Sequence, residues 1–138
     1  MKRLLAIDFG LKRTGIAETD DLGLIATPLE TVDSRELIAY LKKMSSKNSY
    51  ATFVLGEPKT LQNQDTHISE NVRILKEVLI KEFPQIEIVT YDERFTSKMA
   101  LQSMITAGAN KKQRSDKGNI DKISACILLN SYLDSMKS

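Results

Sequence analysis

Leu4-Leu5-Ala6-Ile7-Asp8-Phe9-Gly10-Leu11-Lys12-Arg13-Thr14-Gly15-Ile16-Ala17-Glu18-Thr19 is the stretch that decides the fold. Four apolar residues in a row read as a buried strand, and an acid follows at once. A carboxylate there loses solvation unless something positive meets it. A glycine-containing loop comes next, and then a second strand over Thr14 to Thr19. The connection is short, so the two strands are expected to pair antiparallel.

Working outward, Leu24 to Thr27 reads as a third strand after a turn rich in Asp and Gly. Asp33-Ser34-Arg35-Glu36 has a capping-box pattern, which places a helix start near Ser34. Leu37, Ile38, Leu41 and Met44 follow on one helical face. Ala51 to Leu55 reads as a strand closed by Gly56, and Glu57 to Asp65 as a polar loop. Thr66 to Phe83 has the apolar spacing of a long helix, stopped by Pro84. Ile86 to Tyr91 is the fifth strand. A helix capped by Thr96 or Ser97 is expected to end at Gly108. After the basic loop from Ala109 to Gly118, Asn119 is read as the cap of a last helix from Ile120 to Met136. The order implies an α/β fold: a mixed five-stranded sheet, three antiparallel strands followed by parallel βα units, with helices on both faces.

Length and composition suit one domain spanning residues 1–138. The chain has 41% hydrophobic and 28% charged residues and a net charge of +2, which is ordinary for a soluble protein. Its one cysteine, Cys126, allows no intrachain disulfide and fits a packing role. Asp8 ends the first apolar run too early for a signal peptide, and no run approaches the ~20 apolar residues of a membrane span. A cytoplasmic protein with no membrane partner is expected.

Three acids occupy positions that invite a function. Asp8 ends the first strand, with Lys12 or Arg13 close enough in sequence to meet a phosphate and with Gly10 and Gly15 permitting close backbone approach. Asp92-Glu93-Arg94 follows the fifth strand, where ligands of α/β sheets gather. Strand alternation admits one of the two acids, and Glu93 is chosen, with Arg94 beside it. Asp121 stands in the first turn of the last helix, at the edge of the apolar face carrying Ala125, Leu128 and Tyr132. Each acid also has an ordinary reading as a turn or helix-start residue. Three such acids with oxygen donors suit Mg²⁺ or Mn²⁺ and phosphoryl chemistry. Lys59, after the fourth strand, and Lys111, Lys112, Arg114 and Lys117 in the basic loop suit a polyanionic partner. A lone histidine, His67, and a lone cysteine do not support zinc or thiol chemistry.

Four pieces, in order, resemble one family: Ala6 to Gly15, Val54 to Lys59, Tyr91 to Ser97, and Lys117 to Asp121. The chain resembles the YqgF/RuvX-like family, described both as pre-16S ribosomal RNA nucleases and as Holliday-junction resolvases. The resemblance implies an RNase H-like fold, with Asp8, Glu93 and Asp121 as metal-binding catalytic acids and the basic loop facing nucleic acid, either pre-rRNA or branched DNA. Glu57 departs from the apolar residue common in the family. A homodimer would suit symmetrical cutting of a four-way junction. An actin-like nucleotide-binding module, which would use the same loop after Asp8, and a non-catalytic RNA-binding factor are the alternatives.

Overall fold

The computed structural model describes residues 3–57, 67–92 and 117–136, with only the backbone for 67–69 and 117–120. Five strands form one sheet: β1 (Leu4–Asp8), β2 (Arg13–Thr19), β3 (Ala26–Asp33), β4 (Thr52–Glu57) and β5 (Glu87–Asp92). Their order is β3-β2-β1-β4-β5. β1 and β2 pair antiparallel, as do β2 and β3, whereas β1–β4 and β4–β5 are parallel. The described helices are α1 (Leu37–Lys47), after a 3₁₀ turn at Ser34–Glu36, then α2 (His67–Glu82) and α3 (Lys117–Met136).

β1 sits in the middle of the sheet, which explains its uninterrupted apolar run. Alternation sends Leu5 and Ile7 to one face, where they pack with Phe53 and Leu55 of β4, Leu37 and Leu41 of α1, and Val72 and Leu79 of α2. Leu4 and Ala6 go to the other face, against Ala125, Leu128, Leu129 and Leu133 of α3. Asp8 shares the parity of Leu4 and Ala6, so it belongs to the α3 face. Helices therefore cover both faces, as the sequence predicts. Tyr91 of β5 packs edge-on against Tyr132 of α3, with ring centroids 5.8 Å apart.

Three of the boundary differences from the sequence reading have a physical cause. The third strand runs over Ala26–Asp33 rather than Leu24 to Thr27. Leu24 and Ile25 are held in the preceding turn, where their N–H groups donate to the Asp20 carboxylate at 2.8 and 3.1 Å. These bonds hold the Asp20 carboxyl below its usual pKa. Gly23 supplies the left-handed residue of that turn, at φ 71°. β3 is an edge strand, so Pro28 within it costs no ladder bond that an inner strand would need. Second, β4 includes Gly56 and Glu57, and Glu57 pairs in register with Asp92 instead of opening a loop. Third, α3 begins at Lys117, so Gly118 and Asn119 are helical and Asp121 lies beyond the first turn. The helix expected between Thr96 and Gly108, and the loops over 58–65 and 109–116, lie outside the described residues.

Candidate metal centre and its bracing loop

Asp8 ends β1 half-buried, at the carboxyl end of the parallel strands. Directly opposite it on β2 is Gly15. Antiparallel partners of this kind have Cα atoms about 4.5–5.5 Å apart. Gly15 in turn lies under α3. A Cβ built there would overlap the backbone carbonyl of Asp121. One glycine thus links the two acids: Asp8 beside it in the sheet, Asp121 against it from the helix. Neither glycine keeps its open side for an anion, contrary to the sequence reading. The space at Gly15 is filled by α3, and that at Gly10 by the Arg13 carbonyl, 2.5 Å from where a Cβ would stand.

Arg13, read as a phosphate contact, has a protein partner. Its Nε donates to Asp121 Oδ2 at 3.0 Å. The side chains are 42% and 27% exposed respectively. Lys12, at the solvent-exposed tip of the same loop, remains where a phosphate could reach it.

The loop between Asp8 and Arg13 is braced by Ser34, in the turn that follows β3, which the sequence reading took only as a helix start. Ser34 Oγ donates to the Gly10 carbonyl at 2.6 Å, and Ser34 N–H donates to the Lys12 carbonyl at 3.0 Å. Thr14 Oγ1 lies 2.8 Å from Ser34 Oγ. A hydroxyl carries one hydrogen, so Thr14, fully buried, donates to Ser34 while Ser34 donates to Gly10. Asp33 precedes it and accepts from Arg35 N–H at 2.9 Å, fixing the chain direction. The capping pattern read from sequence is therefore split: Asp33 caps the short turn, and Ser34 is turned to the loop. Ser34→Ala leaves a buried hydroxyl and a carbonyl without partners. The expected cost is about 1–2 kcal/mol in urea unfolding.

Among the described residues no group of three or more His, Cys, Asp or Glu is placed to hold a metal ion. The backbones of Asp8 and Asp121 both adjoin Gly15. Glu93, Arg94, Lys59, Lys111, Lys112 and Arg114 lie outside the described residues, and of Lys117 only the helical backbone is described. Asp92 is half-buried at the end of β5. Val89 and Tyr91 belong to the α3 face, and Glu93 stands two residues beyond Tyr91 in the sequence. Cys126 is half-buried beside the α3 core, and burial raises its thiol pKa, as a packing role requires. No described helix is long and apolar enough to cross a membrane.

The chain matches the family model described as RuvX, Holliday junction resolvase, over residues 2–135. A Flavobacterium johnsoniae protein named "Putative pre-16S rRNA nuclease" is 42% identical over 137 residues, covering 99% of each chain. A Parabacteroides distasonis protein of the same name is 43% identical, covering 99% of this chain and 98% of its own. Among solved structures, T. thermophilus RuvC in complex with a Holliday junction substrate superposes with a TM-score of 0.58. It is 16% identical and covers 99% of this chain and 96% of its own. That likeness gives the fold, an RNase H-like sheet. With the family model spanning nearly all of the sequence and relatives above 40% identity along their whole length, this chain belongs to the RuvX family.

Proposed function

We propose that this protein is a divalent-metal-dependent endonuclease that hydrolyses phosphodiester bonds of structured RNA, with precursor 16S rRNA as its substrate. The observation carrying the reading is the junction at Gly15, which pairs with Asp8 across the sheet and lies against the backbone of Asp121. The site fits a hard cation by its donors: carboxylate oxygens, with no imidazole or thiolate among the described residues near it. Glu93 completes the set as the third acid. The parity of Val89 and Tyr91 on the α3 face supports that assignment over Asp92. When bound, Mg²⁺ or Mn²⁺ would supply a nucleophile from water and charge stabilisation at the phosphate.

The chain's own residues do the positioning. Ser34 and Thr14 fix the loop that carries Lys12 and Arg13, so that cations flank the acids where a strand's phosphates would run. Lys12, Arg13, Lys59, Arg94, Lys111, Lys112, Arg114 and Lys117 are the proposed nucleic-acid contacts. No side-chain nucleophile is needed. The choice of precursor rRNA rests on the names of relatives sharing more than 40% identity. The family description favours branched DNA as the second reading.

The test presents the purified protein with a precursor 16S rRNA 5′ fragment and a four-way DNA junction side by side, with and without Mg²⁺ or Mn²⁺. Metal-dependent cleavage of the RNA and an intact junction are expected. Cutting of the junction alone reverses the substrate assignment, and cutting of neither overturns the nuclease reading.

A further inference from the structure

The Arg13–Asp121 pair places a cation on one of the two acids assigned to the metal. It is joined through Nε alone, at 3.0 Å, with both side chains partly exposed. A guanidinium has five N–H donors, and a planar, doubly bonded fork is its strongest mode with a carboxylate. The pair is a single contact, and ion pairs at such exposure are weak. It is therefore breakable. A divalent ion drawn to Asp121 would compete with Arg13 for Oδ2. Once displaced, the guanidinium sits at the start of β2, beside the Lys12 loop, and its fork matches a backbone phosphate.

We propose that Arg13 is an exchangeable counter-ion, a positioning residue that alternates between Asp121 and a nucleic-acid phosphate. A phosphate that takes Arg13 releases Asp121 to the metal, and a metal that takes Asp121 releases Arg13 to the phosphate. Divalent-ion binding and nucleic-acid binding then strengthen each other by the same factor, because the coupling is reciprocal. The purpose is a site that assembles fully only on its substrate. This inference rests on the metal-site reading above.

The test is isothermal titration of Mn²⁺ into wild type, Arg13→Gln, Arg13→Lys and Asp8→Asn at low salt. Each titration is run with and without a saturating phosphorothioate-backbone RNA oligonucleotide. The oligonucleotide is expected to tighten Mn²⁺ binding to wild type by about 3–5-fold, the range a partly exposed ion pair allows. Arg13→Gln binds Mn²⁺ tighter than wild type by that same factor without the oligonucleotide, and gains nothing when it is added. Arg13→Lys keeps the charge through a single contact and retains the tightening. A merely structural Arg13 would move none of these couplings. Equal Mn²⁺ affinity in wild type and Arg13→Gln, with binding still dependent on Asp8, overturns the exchange and leaves the metal site standing. Mn²⁺ binding that survives Asp8→Asn, or is absent throughout, overturns both.

Discussion

Asp8→Asn is expected to lower metal-supported cleavage by at least about 10²–10³-fold, the loss typical of removing one fixed charge-stabilising group from a reaction centre, while the fold stays intact. Asn has the shape of Asp, and Asp8 stands at the end of its strand, so no core contact changes. Stability gives a second readout. With Mn²⁺ at a hundred times its dissociation constant, wild type should gain about 2.7 kcal/mol and the variant almost nothing. Unfolding curves with and without Mn²⁺ therefore report on the site independently of any nuclease contaminant. A variant that cleaves as fast as wild type removes Asp8 from the mechanism. A variant that is dead but still stabilised by Mn²⁺ moves the metal elsewhere.

Asp8 was legible because it breaks a pattern: an acid directly after four apolar residues needs a reason, and the central position of β1 supplies the burial that makes the reason necessary. The last helix was legible for a similar cause, since Ala125 and Leu128 recur at the spacing that buries one face, and both are fully buried against the sheet. β3 was misread because an edge strand needs little hydrophobicity. Pro28, Glu30 and Thr31 look like loop residues, and only the ladder with β2 makes them a strand. Leu24 and Ile25 drew the assignment instead, although they are exposed in the turn before it. The partners of the site were hidden for a different reason. Arg13 meets Asp121 across 108 positions of sequence, and nothing local to either residue encodes the meeting. Ser34 was taken into a capping pattern, which is what a Ser beside Asp at a helix start ordinarily means, and its bonds to Gly10 and Lys12 depend on β3 lying next to β2. Glycine was recognised as permissive at position 15, but the group that exploits the space is a helix backbone, not an anion.

Gly15→Ala is expected to destabilise the protein by about 3 kcal/mol or more and to abolish cleavage with it. The sign is the informative part. Gly15 lies in the extended strand β2, where Ala would ordinarily be favoured, because glycine loses more chain entropy on folding. Propensity alone therefore predicts a gain of a few tenths to one kcal/mol. Against this stands the overlap of the new Cβ with the backbone of Asp121 and Lys122. Backbone cannot swing aside as a long side chain does. α3 must lift from β2, and lifting it loosens Ala125, Leu128 and Leu129 from Leu4, Ala6 and Ala17 below. The same movement shifts Asp121, with its bond to Arg13, relative to Asp8. Gly10→Ala is the matched comparison. Its Cβ would meet the Arg13 carbonyl within one short loop, which can shift without disturbing the core, so its cost in unfolding should be the smaller and its effect confined to the loop that carries Lys12 and Arg13. Urea unfolding of the two variants decides the matter: if Gly15→Ala is as stable as wild type, α3 does not rest on β2 at this point, and the contact that joins Asp8 to Asp121 is lost with it.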